Sequence, residues 1–164
     1  PDDLIKDTEG DVIREEAKGK DICELGVGGK KTLSHCVGVD RVAKGEMIPF
    51  VDQVSVADVV ADVEDKLPLE DSTFDFVIAR HILEHCVDAL KVLKEWSRII
   101  RTGGQLIIAV PDERIADGIP LNPEHVHAFT PESLSALGEA VGLKPITVAE
   151  GYNSVSFIII FEKA

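Results

Sequence analysis

The chain has 164 residues, 45% of them hydrophobic, so a single domain with one core is predicted over residues 1–164. Its formal net charge of −13 repels nucleic-acid backbones and anionic membranes, and neither is expected as a partner. Three scattered cysteines, Cys23, Cys36 and Cys86, do not form a disulfide framework and indicate a reducing, cytoplasmic environment. No signal peptide or membrane-length apolar run is recognisable.

The first half of the chain alternates short apolar segments with polar loops. Residues 2–18 are predicted to form an amphipathic helix that Gly10 weakens. The predicted strands are 21–26, 36–40 and 54–60. The first two strands are joined by too few residues for a crossover helix, and residues 41–53 are expected to be irregular.

The second half contains longer elements. Strands are predicted at residues 74–79, 105–110, 144–149 and 154–162. Asp88 is expected to cap a helix that ends before Gly103, and Thr130 a helix that ends before Gly142. A polar loop covers residues 112–129. Because a short turn joins the last two strands, they should pair antiparallel.

Strands alternating with helices predict an α/β fold with a mostly parallel sheet between helical layers. Such sheets bind ligands at the carboxyl ends of adjacent strands. Here the first predicted strand leads into Glu24-Leu25-Gly26-Val27-Gly28, and the second ends on Asp40. Glycines let a ligand approach the backbone closely, and a carboxylate can accept hydrogen bonds from two ribose hydroxyls. The residues therefore predict a nucleoside-binding crevice.

The spacing of this segment argues against a dinucleotide. Gly26 and Gly28 fit the dinucleotide fingerprint, but Lys31 occupies its last glycine position. Only 14 positions separate Gly26 from Asp40, whereas a dinucleotide unit needs a full helix and an acidic residue about 20 positions on. A cofactor without phosphate is favoured, and a nicotinamide-dependent oxidoreductase is the weaker alternative.

Several further blocks occur in a fixed order. They are Glu24-Leu25-Gly26-Val27-Gly28, Val39-Asp40, Asp62, Leu67-Pro68-Leu69, Phe74-Asp75-Phe76-Val77, His81-Ile82-Leu83-Glu84-His85, the stretch 98–104, and Val110-Pro111-Asp112. Together, from about residue 21 to 143, they resemble a class I S-adenosylmethionine-dependent methyltransferase of the type 11 kind. The resemblance implies a Rossmann-like three-layer sandwich with a mostly parallel sheet, an antiparallel last strand, and S-adenosylmethionine as the cofactor.

The resemblance also implies which residues contact the cofactor. Carried over by position, they are Glu24, Gly26, Gly28, Asp40, Arg41, Asp62, Val63 and Arg80. Glu24 would organise the glycine turn and the cofactor's amino group, and Asp40 would bind the ribose. Asp62 and the Val63 N–H would hold adenine. The family expects a glycine where Lys30 stands, and Lys30 is expected to face solvent.

The segment His81-Ile82-Leu83-Glu84-His85 also spells H-x-x-E-H, the inverted zinc-protease motif. That chemistry needs both histidines on one helix face, yet the next helix is capped only at Asp88, so no metal is predicted. His81 and His127 are the candidate general bases, needed only if the acceptor must lose a proton.

The predicted function is methyl transfer to an oxygen or nitrogen of a small-molecule or glycan acceptor. The motif that nucleic-acid amino-methyltransferases carry after the fourth strand is replaced by Ala79-Arg80-His81. With no inserted lid, the acceptor site must come from loops or from a partner subunit, as in a homodimer. The alternative is a non-catalytic S-adenosylmethionine-binding module or a subunit of a complex.

Overall fold

The computed structural model describes residues 7–115, 124–152 and 155–164. The strands in these ranges are β1 (Ile22–Leu25), β2 (Val37–Asp40), β3 (Val59–Val60), β4 (Phe74–Arg80), β5 (Ile100–Pro111), β6 (Leu143–Tyr152) and β7 (Ser156–Lys163). The helices are α1 (Thr8–Glu16), α2 (Ala89–Arg98) and α3 (Pro131–Ala140), with a 3-10 turn at Leu83–His85.

The strands form one sheet in the order β3-β2-β1-β4-β5-β7-β6. Neighbours from β3 to β5 pair parallel, and β7 lies antiparallel between β5 and β6. The predicted α/β fold class and the antiparallel pairing of the last strands are confirmed. The strand order reverses at β1 and β4, which is where open α/β sheets form a ligand crevice.

Both faces of the sheet are covered, which gives three layers. In β4, Val77 belongs to the core that contains Trp96 of α2, while Phe76 and Ile78 belong to the core that contains Ile13 of α1. Successive side chains of a strand point to opposite faces. Because both faces are buried, β4 and β7 contain continuous apolar runs, Phe76–Ala79 and Phe157–Phe161, rather than alternating patterns.

The first helix differs from its prediction. It begins at Thr8, where Asp7 caps it by accepting a hydrogen bond from the Gly10 N–H at 3.1 Å. A Cβ on Gly10 would collide with the Asp7 carboxylate. Gly10, predicted to weaken the helix, therefore leaves room for its cap. Residues 2–6 of the predicted helix lie outside the described residues.

The region after β2 also differs. Within the stretch expected to be irregular, the chain forms a hairpin-like loop closed by an antiparallel bridge between Met47 and Val54. The Ile48 N–H donates to the Gln53 carbonyl at 2.9 Å inside it. The predicted strand 54–60 was wrong in its first half, because Val54 belongs to this loop and only Val59–Val60 pairs with β2.

The fifth strand is longer than predicted. It begins at Ile100 instead of residue 105, and the expected break at the glycines is a bulge inside the strand. Gly103, at φ +79°, supplies the left-handed backbone that the bulge needs. Between β1 and β2 the chain makes no helix, as the spacing predicted.

None of the described helices has the length and apolar character needed to cross a membrane. Cys23, Cys36 and Cys86 are buried free thiols.

Two leucines of α2 test the packing of the sheet against this helix. Leu93 is fully buried, whereas Leu90 is 41% exposed. Leu93→Ala should lower the free energy of unfolding by about 2–5 kcal/mol, since it removes buried methyl groups and leaves a cavity. Leu90→Ala, the control, should stay within about 0.5 kcal/mol of the wild type. Urea unfolding measures both, and equal losses would contradict the helix orientation.

Candidate active site

A crevice of about 570 Å³ opens at the carboxyl ends of β1, β2 and β4. Six of the residues singled out from the sequence line it: Gly26, Asp40, Arg41, Asp62, Val63 and His81. The other four do not line it: Glu24, Gly28, Arg80 and His127. Residues not predicted from the sequence complete the wall: Val42, Ile48, Pro49, Val51, Ala61, Glu64, Ile82, His85, Cys86 and Glu124.

Asp40 combines a structural role with an open binding face. Its Oδ2 accepts the Gly28 N–H at 2.9 Å, and its Oδ1 accepts the Val42 N–H at 3.2 Å. Each carboxylate oxygen can accept about two hydrogen bonds. One acceptor position therefore remains on each oxygen, which suits the two adjacent hydroxyls of a ribose.

Glu24 holds the other end of the same loop. It is buried, and its two oxygens accept the Thr32 N–H and hydroxyl, both at 2.8 Å. Burial raises the pKa of Glu24, and the Thr32 hydrogen bonds oppose that shift. These hydrogen bonds stabilise the loop between β1 and β2, and the Glu24 side chain does not line the crevice. Lys30 is exposed, as expected, and Lys31 pairs with Asp58 at 2.6 Å.

Gly26 lets the backbone pass close to the connection after β4. Its φ is +67°, and a Cβ would lie 2.8 Å from the Ile82 Cδ1. Any larger residue would be strained by both the conformation and the contact. The crevice therefore has backbone rather than side chain along this wall, as a ligand that lies flat on the glycine turn requires.

Asp62 and Val63 form the end of the crevice predicted to hold adenine. Asp62 Oδ1 accepts the Glu64 N–H at 2.9 Å, and the Val63 carbonyl accepts the Trp96 indole N–H at 3.1 Å. No described residue accepts the Val63 N–H. Asp62 Oδ2 and this N–H supply the acceptor and donor that an adenine edge needs, and their roles stay predictions.

Arg80 does not line the crevice. Its guanidinium pairs with two carboxylates of the α1 region, with Glu9 at 2.5 Å and with Asp7. Glu9 also accepts the Ser156 hydroxyl at 2.5 Å and contacts His81 Nε2 at 2.8 Å. Glu9 is fully buried and ties α1 to the ends of β4 and β7. Nothing in the sequence distinguished it from a solvated helix acid.

His81 follows β4 in a left-handed conformation, with φ +53°. Such backbone is costly for a residue with a side chain and occurs most often at functional sites. Burial lowers the pKa of His81, but the carboxylates of Glu84 and Glu9 outweigh burial and raise it to about 9. The ring is therefore an imidazolium at neutral pH, and the prediction that it is a general base does not fit this structure.

His127 lies outside the crevice wall. Its Nε2 lies 3.0 Å from the Val87 carbonyl, so this nitrogen must carry the proton that it shares. Its ring packs against Phe129, with 5.7 Å between the ring centroids. The structure therefore does not bring His127 to the crevice, where the prediction of a base at the acceptor needs it.

Comparison with known proteins agrees with the fold. A family described as a methyltransferase domain matches residues 19–108. A probable S-adenosylmethionine-dependent methyltransferase of Mycolicibacterium smegmatis is 30% identical over 82 residues, 48% of this chain and 32% of that protein. An uncharacterized protein of Methanocaldococcus jannaschii is 34% identical over 98 residues, 58% of this chain and 46% of that protein.

Among solved structures, an S-adenosylmethionine-dependent methyltransferase from Aquifex aeolicus superposes with a TM-score of 0.72 at 17% identity, covering 98% of this chain and 92% of that one. The fold is that of the Rossmann-like methyltransferases. The chain belongs to the methyltransferase domain family, which confirms the predicted family and its cofactor, S-adenosylmethionine. It spans less than half the length of the curated relatives that it matches.

The Glu9 cluster makes stability depend on pH. Burial raises the pKa of Glu9, but His81, Ser156 and Arg80 outweigh burial and lower it from 4.5 to about 2. Because the folded-state pKa is depressed, the stabilisation is complete above about pH 5 and is lost as the pH falls toward 2. The difference in the free energy of unfolding between the wild type and Glu9→Gln should therefore shrink by about 3 kcal/mol as the pH falls from about 5 to 2.

Urea unfolding at several pH values between 2 and 7 measures this difference. Glu15→Gln, an exposed change on the same helix, serves as the control and should show no such trend. A constant difference between wild type and Glu9→Gln would contradict the cluster.

Proposed function

We propose that this chain transfers a methyl group from S-adenosylmethionine to an oxygen or nitrogen of a small-molecule or glycan acceptor. The observation that carries the proposal is the crevice wall formed by Asp40, Gly26 and Asp62. It offers two free carboxylate positions for a ribose, a flat glycine turn, and polar groups for adenine.

The bound cofactor supplies a methyl group on a positively charged sulfur, which is an excellent leaving group. The acceptor's lone pair forms a bond to the methyl carbon while the carbon–sulfur electron pair returns to sulfur, and the acceptor loses a proton. The protein's part is to align the acceptor and to exclude water, which can supply much of the barrier reduction. Neither His81 nor His127 is placed to take the proton.

The crevice wall formed by the hairpin-like loop is consistent with a small acceptor. Ile48, Pro49 and Val51 of the hairpin-like loop line it, and Phe50 at the tip of the loop is fully exposed. A volume of about 570 Å³ lies in the range of small-molecule sites, about 300–1,000 Å³, and must hold both substrates. The net charge of −13 supports an acceptor other than nucleic acid or a membrane.

One observation favours a second candidate function, a non-catalytic cofactor-binding module. Neither predicted base is placed for catalysis, since His81 is held in its charged form and His127 does not line the crevice. In that case a partner, or a second copy of the chain, would complete the acceptor site. We also propose a cytoplasmic location, which the three buried free thiols support.

Asp40→Asn tests the cofactor site. The change removes the charge that accepts the ribose hydroxyls, so S-adenosylhomocysteine should bind with an affinity reduced by about tenfold or more. Calorimetry of the full chain measures this binding. Asp65→Asn is the matched control. Asp65 is an exposed acid three positions after Asp62 and outside the crevice wall, so this variant should bind as the wild type does.

Equal affinity in the two variants would mean that the ribose lies elsewhere. Tight binding of NAD without binding of either sulfur cofactor would contradict the proposed function as a whole. Cofactor binding without turnover over a broad acceptor panel would favour the module.

A further inference from the structure

Two histidines and a buried glutamate converge beside the crevice. Glu84 and His85 belong to the 3-10 turn after β4, and His125 belongs to the segment that leads to α3. One ligand atom from each, two imidazole nitrogens and a carboxylate oxygen, lies within 4.8 Å of the others. His125 follows His85 by 40 positions in the sequence, and the fold brings it to the adjacent pair Glu84 and His85.

Glu84 is the unusual member of this cluster. The residue is 1% exposed, and neither carboxylate oxygen accepts a hydrogen bond from any described residue. The nearest nitrogens to Oε1 are His81 Nδ1 at 3.6 Å and His85 Nε2 at 3.8 Å, both beyond hydrogen-bond range. His81 already places one cation beside Oε1, but no described residue places a hydrogen-bond donor or a cation at Oε2. A buried polar oxygen without a partner is costly, so Oε2 indicates a ligand that the described residues do not supply.

The histidines present ligand nitrogens to the same point. His85 Nδ1 lies 3.2 Å from the Glu124 carbonyl, which fixes the proton on Nδ1 and leaves the lone pair on Nε2, the atom nearest Glu84. His125 Nδ1 is buried and has no hydrogen-bond partner among the described residues. A carbonyl that orients a histidine through its second nitrogen is the usual outer support of a metal ligand.

The backbone holds the two segments in place. The Glu84 carbonyl accepts the Val126 N–H at 2.8 Å and the His127 N–H at 3.3 Å. His127 is further anchored through its ring to the Val87 carbonyl. These bonds hold the backbone directly after His125, and the His125 ring contacts the His85 ring edge-on, with 4.7 Å between the ring centroids.

We propose that Glu84, His85 and His125 bind a divalent first-row transition-metal ion such as Zn²⁺, Co²⁺ or Mn²⁺. Imidazole together with carboxylate suits such ions. Metal–ligand bonds of about 2.0–2.2 Å place ligand atoms roughly 3–3.5 Å apart, so atoms that now lie up to 4.8 Å apart must approach by at most about 1.3–1.8 Å. Three protein ligands leave coordination positions open, as catalytic sites do.

This site is not the helical H-x-x-E-H arrangement considered from the sequence. Only Leu83–His85 is helical there, as a single 3-10 turn, and His81 Nε2 is engaged by Glu9. The expectation of no metal rested on that helical geometry. The structure instead pairs the second half of the motif with a histidine from another segment.

The role of the ion rests on the proposed function. His85 and Glu124 line the same crevice as Asp40. An ion there would coordinate an acceptor hydroxyl and lower its pKa, so that the hydroxyl loses its proton to solvent water. The oxygen then attacks the methyl carbon as the carbon–sulfur bond breaks. This would supply the deprotonation that His81 and His127 are not placed to perform.

The test is a titration of the chelator-treated full chain with Co²⁺ and Zn²⁺, followed by calorimetry and by the visible absorption of Co²⁺. We expect one ion per chain, and an affinity lower by about tenfold or more in His85→Gln and in His125→Gln. His35→Gln, an exposed histidine on the β1–β2 loop, is the matched control and should bind as the wild type does.

Glu84→Gln adds a second measurement. If Glu84 is a ligand, added Zn²⁺ should raise the Tm of the wild type clearly more than that of the variant, because the stabilisation by an ion falls as its affinity falls. No binding by the wild type, or binding unchanged in both histidine variants, would overturn the site. Binding of S-adenosylhomocysteine to the metal-free wild type reports separately on the cofactor site.

Discussion

The crevice depends on how the chain joins β1 to β2 without a helix. Two carboxylates at the ends of these strands hold the loop: Glu24 binds Thr32, and Asp40 binds the Gly28 N–H. Asp40 therefore shapes the turn and also faces the ligand. The same shortening leaves no helix N-terminus on which a pyrophosphate would bind, which fits a cofactor without phosphate.

A second set of charges shapes the opposite side of the crevice. His81 lies between two buried carboxylates, Glu9 from α1 and Glu84 from the turn after β4. Because both carboxylates favour its charged form, the ring serves as a fixed cation that joins α1 to the sheet edge. Groups other than His81 must then remove the proton of the acceptor. Among the described residues, Glu84, His85 and His125 form the only cluster with metal-binding spacing.

The fold was largely predictable because it rests on local patterns. Apolar runs marked the buried strands, Asp88 and Thr130 marked helix starts, and Gly26 to Asp40 gave the length of the first connection. Contacts between distant residues were not predictable. Glu9 reaches Arg80, and His125 reaches Glu84, only after the sheet has formed. The same limit applies to Arg80, which the resemblance placed among the cofactor contacts and which the structure pairs with Glu9 and Asp7.

A crystal structure of the chain with S-adenosylhomocysteine tests the placement of the cofactor most directly. We expect both ribose hydroxyls within hydrogen-bond distance of the Asp40 carboxylate, adenine beside Asp62 and the Val63 N–H, and the sulfur directed toward the side of the crevice formed by His85. A ligand bound outside this crevice, or one whose ribose does not contact Asp40, would contradict it.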